Sequence, residues 1–150
     1  MVGRVLLMVN KLLNAVTKQL GTTFGTNYHY YVEDVEQNLS TPCFTVDMVL
    51  PLQRSKSPVL YDRTMPLVIH YFSDSKTNLK SDCYRIAERV NECLEFLPFE
   101  NTLIRGEDIS WHLVDDVLQI FITYKFITKK VLTPVDEMVD LSTQFTRPNN

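Results

Sequence analysis

The residues able to do chemistry are concentrated in one short stretch and otherwise scattered. Between Tyr30 and Phe44, in YYVEDVEQNLSTPCF, stand the carboxylates Glu33, Asp34 and Glu36, a Ser-Thr-Pro turn and Cys43. Neighbouring carboxylates can serve general acid and base catalysis or bind a hard cation. A calcium loop, however, places oxygen ligands at alternate positions around a glycine, and EDVEQNLSTP contains no glycine. The stretch therefore reads as a solvated strand end, a polar turn and the start of the next strand. Cys43 could be a nucleophile only beside a base or a helix N-terminus; after Pro42 at a strand start it reads as a small buried hydrophobe. His29, His70 and His112 each stand alone in a strand-like run, without the HxH or HExxH spacing of zinc or iron sites. A small cytoplasmic enzyme built from dispersed groups, with His70, His112 and Asp47 as its candidates, would need those groups to converge in one pocket. No P-loop, GxGxxG or GxSxG occurs. No catalytic, cofactor-binding or metal-ligating residue is assigned, and no cofactor is expected.

The elements that carry these residues follow from hydrophobic spacing. Val5, Val9, Leu12, Leu13, Val16 and Leu20 recur at three- and four-residue steps, which predicts an amphipathic helix stopped by Gly21. Tyr28 to Glu33 and Cys43 to Leu50 read as strands, the second alternating in the period-two manner and closed by Pro51. Beyond it PLQRSKSPVLYDR is polar and basic, and MPLVIHYF is β-rich again, so the two strands are expected to be joined by a long projecting hairpin arm. Leu79 to Leu97 is the strongest helix, with Leu79, Cys83, Ile86, Ala87, Val90, Leu94 and Leu97 on one face and Pro98 ending it. A short TLIR strand follows, then an RGED turn with Gly106 in the permissive conformation. Ile109 to Val114 and Val117 to Thr128 then form an antiparallel hairpin turned at Asp115 and Asp116. These elements predict an α+β fold, with two main helices on one face of a mixed or antiparallel sheet. Residues 1–130 make the domain, and residues 131–150, with weak helical spacing at Val135, Met138, Val139 and Leu141, read as a mobile or partner-docking tail.

Composition limits what such a domain can do. A chain of 150 residues, 45% hydrophobic, is one domain with a real core. The net charge of -3 argues against a nucleic-acid binder, whose phosphate-facing surface carries an excess of Lys and Arg. No apolar run approaches the roughly 20 residues that span a bilayer, so no membrane partner is expected. Asn10, Lys11 and Asn14 stand where a secretory signal would need small residues, which favours a cytoplasmic origin. The cysteines, Cys43, Cys83 and Cys93, are odd in number and unclustered, so packed thiols are expected rather than disulfides or a metal knuckle. What remains is a scaffold with a basic arm, an acidic strand end and a tail: the parts of an assembly protein.

The order of motifs sharpens this. YVEDVEQNLSTPCFTV, then PLVIHYF, then the helix from Leu79, then LIRGEDISWHLVDDVLQIFITYKF resembles the phage tail terminator family of Gram-positive phages and phage-like tail particles, over about Leu6 to Lys130. The resemblance implies a structural protein of the virion or particle tail, made in the bacterial cytoplasm. It would be a homo-oligomeric ring, hexameric in the family, that caps the head-proximal end of the tail tube. Its partners would be itself, the tube protein, and sheath and neck or connector proteins, with DNA passing through the ring unbound. A neck, head-tail joining or tube-sheath adaptor protein is the alternative in the same class. A ring needs two different patches that meet across each interface. The expected patches are the arm, through Arg54, Lys56, Tyr61 and Arg63, and the acidic residues Glu33, Asp34 and Glu36.

Overall fold

The structure, a computed structural model, describes residues 2–32 and 39–130, with side chains from residue 8 onwards. Helix α1 (Val2–Phe24) leads into β1 (His29–Val32), β2 (Cys43–Met48), β3 (Leu52–Ser55) and the long β4 (Leu60–Phe72). Helix α2 (Leu79–Glu95), β5 (Phe96–Phe99), β6 (Thr102–Val114) and β7 (Val117–Lys129) complete the chain. The strands form one sheet in the order β1-β2-β4-β7-β6-β5, with β3 pairing β4 beside the end of β2. Pairing is antiparallel except for β1 with β2, so the sheet is mixed. The parallel register sets Cys43, at the start of β2, beside His29, at the start of β1.

Alternation along the two central strands decides where the core lies. Met65, Leu67, Ile69 and Tyr71 of β4 and Leu118, Ile120, Ile122 and Tyr124 of β7 are buried on one face. Against them pack Leu12, Leu13, Val16, Leu20 and Phe24 of α1 and Cys83, Ile86, Ala87, Val90 and Leu94 of α2. Each large side chain so buried contributes about 1.5–3 kcal/mol. This is the expected α+β domain. No helix among the described residues is long and apolar enough to cross a membrane.

Several local expectations are revised. Helix α1 runs through Gly21 to Phe24, and it is Gly25, at φ 85°, that ends it, its N–H donating to the Gly21 carbonyl at 2.9 Å. A glycine costs a helix only about 1 kcal/mol, less than the burial of Leu20 and Phe24 returns. Helix α2 stops at Glu95, because the residue before Pro98 is driven to extended backbone. Leu97 keeps its place in the core from the edge strand β5. TLIR and the segment from Ile109 are one strand, β6, and RGED is no turn. The register slips by one residue between Glu107 and Ser110, at a bulge where Asp108 has φ 54°. Gly106 is instead a close approach: a Cβ there would collide with Ile122 Cδ1.

Tight turns and one polar cluster hold the ends. Glu100-Asn101 and Asp115-Asp116 are two-residue loops with both residues at positive φ, the backbone twist that matches antiparallel strands. Asp82, in the first turn of α2, accepts hydrogen bonds from Tyr71 Oη at 2.7 Å, Ser73 Oγ at 2.6 Å and Arg85 at 2.6 Å, tying α2 to the end of β4.

Candidate assembly interface

The expected arm is a β-hairpin. Leu52 to Ser55 pair antiparallel with Thr64 to Tyr61, and the turn closes on the Leu60 carbonyl, which accepts from the Lys56 and Ser57 N–H groups. The arm is no loop but the first five residues of the thirteen-residue β4, so it is continuous with the core strand. Between β2 and β3 the edge is interrupted at Val49 to Pro51, opposite Pro66. The Val49 N–H donates to the Pro66 carbonyl at 2.9 Å, so the donor that proline lacks points at the interruption, where no ladder bond is lost.

Because β4 runs unbroken, its alternation assigns every arm residue to a face. Arg63 shares the helix-side face with Met65 and Leu67; it is 8% exposed, and its Nε donates to Thr128 Oγ1 at 3.2 Å. Burial pulls its pKa below the ordinary guanidinium value. The expectation of an exposed Arg63 reaching a neighbour is therefore incorrect. Tyr61, two residues earlier on the same face, is half-buried. Arg54, fully on the surface, lies opposite Asp62 on the outer face, and Lys56 pairs with Asp62 at 3.9 Å. Glu33, Asp34 and Glu36 lie outside the described residues, as does the tail.

The outer face of the arm was not singled out from the sequence. Leu52, Arg54, Asp62, Thr64, Lys125 and Ile127 line a shallow concavity of about 510 Å³ there. Leu52 is 48% and Ile127 54% exposed, and Leu50 beside them is 76% exposed. Register puts Lys129 on the same face, opposite Leu60. Arg54, Lys125 and Lys129 have no carboxylate within ion-pair distance among the described residues. The surface thus sets Leu52 and Ile127 on strands that flank Asp62 and Thr64 of β4, with Arg54, Lys125 and Lys129 around them. The signal was available: LQRSK and YKFITK each alternate apolar or neutral with basic residues, but only pairing brings the two runs together.

The dispersed enzyme candidates share a face without converging. Register sets Thr45, His70, Gln119 and His112 in a row across the outer face, so His70 and His112 stand two strands apart, about 9.5 Å. His112 Nε2 instead meets Gln119 Oε1 at 3.3 Å. Among the described residues no three His, Cys, Asp or Glu side chains come close enough to hold a metal. Cys43 is fully buried and burial raises its pKa, while burial and the carboxylates of Asp82 and Asp116 push Cys83 up to about 11, so both remain thiols, as packing residues should.

A family model described as phage tail terminator protein matches residues 11–136. The chain belongs to the phage tail terminator family. The match runs from α1 through the arm and ends six residues beyond Lys130. Membership places the protein among structural components of phage tails, which act through other tail proteins. No curated protein sequence matches the chain. One solved structure, of a protein without a functional name, covers 83% of this chain and 94% of its own at 7% identity, with a TM-score of 0.40.

Proposed function

We propose that this terminator-family protein closes the head-proximal end of a tail tube as a homo-oligomeric ring, most specifically a hexamer. In doing so it ends tube polymerisation and presents a surface to neck or sheath proteins. The family match across residues 11–136 carries this reading. The arm supports it physically: a ring closes when one patch of a subunit meets a different patch of the next. The outer face of the arm, with Arg54, Lys125 and Lys129 at its rim, is one such patch, and the acidic residues Glu33, Asp34 and Glu36 are its counterpart. Contacts of this kind, at about 0–1 kcal/mol each, set register more than affinity. The net charge of -3 suits a lumen that DNA passes without binding.

Purified tube protein, polymerised with and without this chain, tests the reading by electron microscopy. Density for the chain at one end only, with tube growth stopped, is the expected result. Density along the whole tube overturns it, and failure to cap at all points to a head-side connector.

A further inference from the structure

The basic and apolar outer face of the arm has a candidate occupant in the same chain. Strand β7 ends at Lys129, and the Lys130 N–H donates to the Val59 carbonyl at 2.7 Å, so the last described residue stands at the tip of the arm. The next stretch, VLTPVDEMVDLSTQF, carries Asp136, Glu137 and Asp140 among Val135, Met138, Val139 and Leu141, and Arg147 is the only cation after Lys130. Acidic and apolar residues thus follow directly upon a surface where Leu52 and Ile127 stand with Arg54, Lys125 and Lys129, and where the one carboxylate among the described residues, Asp62, is paired with Lys56 at 3.9 Å.

We propose that residues 135–141 fold back and dock on the outer face of their own arm. Their carboxylates would face Arg54, Lys125 and Lys129, and their apolar side chains would cover Leu52 and Ile127. The geometry allows it. Val135 stands five residues past Lys130 and can lie up to about 17 Å from it, whereas Ile127 is three residues back along β7, about 10 Å. Thr133 and Pro134 supply the reversal, since proline presets the first central position of a turn. Such a short tether holds the segment at millimolar effective concentration, so weak contacts suffice. Where the proposed ring forms, which rests on the reading above, Glu33, Asp34 and Glu36 of a neighbour compete for the same cations and displace the segment. The free subunit would then keep its sticky face covered until assembly.

The test uses the full chain with the photo-crosslinking residue benzoylphenylalanine at position 52, across the concavity from β7. It is irradiated at low concentration as an equal mixture of light and nitrogen-15-labelled protein. The expected product joins position 52 to a residue between 135 and 141, with both halves carrying the same isotope. Lys125→Glu with Lys129→Glu should lower its yield at least tenfold, and adding Asp136→Lys, Glu137→Lys and Asp140→Lys should restore it. Links to other residues, no link at all, or pairs of mixed isotope overturn the proposal. None of these outcomes depends on tube capping, so the terminator reading stands or falls separately.

Discussion

Asp82 shows how much a single carboxylate can decide here. Burial alone would raise its pKa, but hydrogen bonds from Ser73, Tyr71 and Arg85, with the charge of Arg85, outweigh it and hold the group below the ordinary carboxylate value. A depressed pKa means the folded state releases the proton more readily than the unfolded state. Its stabilisation is therefore complete above the unfolded value near about 3.9 and is lost as pH falls through the folded one. Asp82→Asn keeps the shape and removes the charge. At pH 7 it should cost about 1–3 kcal/mol, and thermal melts should show wild type and variant converging below about pH 4. Arg63 makes the opposite case. Its guanidinium is buried with only the Thr128 hydroxyl as partner among the described residues, an arrangement that gives back little of its desolvation cost. Arg63→Met should leave the melting temperature unchanged or raise it, measured by circular dichroism. A fall of several degrees would point to a carboxylate of residues 33–38 or 131–150 reaching it.

At the scale of elements, the strand β6 depends on a missing side chain. Gly106 lies against Ile122 of β7 and the Leu94 carbonyl, 3.1 Å from where its Cβ would be. Gly106→Ala should destabilise by about 1–3 kcal/mol through overpacking, and Ile122→Val in the same chain should recover part of that loss in denaturant titrations. The contact was hidden in the sequence, where glycine between Arg105 and Glu107 reads as a turn; only the pairing of Gly106 and Glu107 with Tyr124 and Thr123 of β7 distinguishes close approach from a bend. The helices and the β6–β7 hairpin were legible because they are long and strictly periodic, and Asp115-Asp116 marked its own turn. The arm was legible as basic and projecting but not as strand. Its polar residues conceal that Arg63 continues the alternation of Met65, Leu67 and Ile69, so the face of every arm residue was lost with it. Its basic face was also invisible, since Arg54 and Lys125 come from strands about seventy residues apart. In the Asp115-Asp116 turn both residues adopt a conformation that costs non-glycine residues about 1–2 kcal/mol. Asp116→Gly should therefore raise stability by a few tenths to about 1 kcal/mol.

At the scale of the whole molecule, the question is whether the arm's cations and the acidic segment 33–36 meet within one chain or between two, and a ring offers a way to decide. Arg54→Glu and Glu36→Lys, made separately, each place like charges together at every interface, and both should reduce the fraction of capped tubes. In an equimolar mixture, subunits of the two kinds can alternate. The carboxylate introduced at position 54 of one subunit then meets the ammonium introduced at position 36 of the next. The native Arg54 of that second subunit meets the native Glu36 of the following one, so every interface regains opposite charges. An even-numbered ring accommodates strict alternation. Contacts within a chain gain nothing from mixing, because each variant still carries its own like-charged pair. The mixture should thus cap tubes about as well as wild type, counted by electron microscopy at low salt, where the roughly 10 Å Debye length at 0.1 M leaves surface charges effective. Recovery should fade as salt rises toward 1 M. A mixture that caps no better than its components would rule out the Arg54 to Glu36 contact between subunits while leaving the family assignment intact.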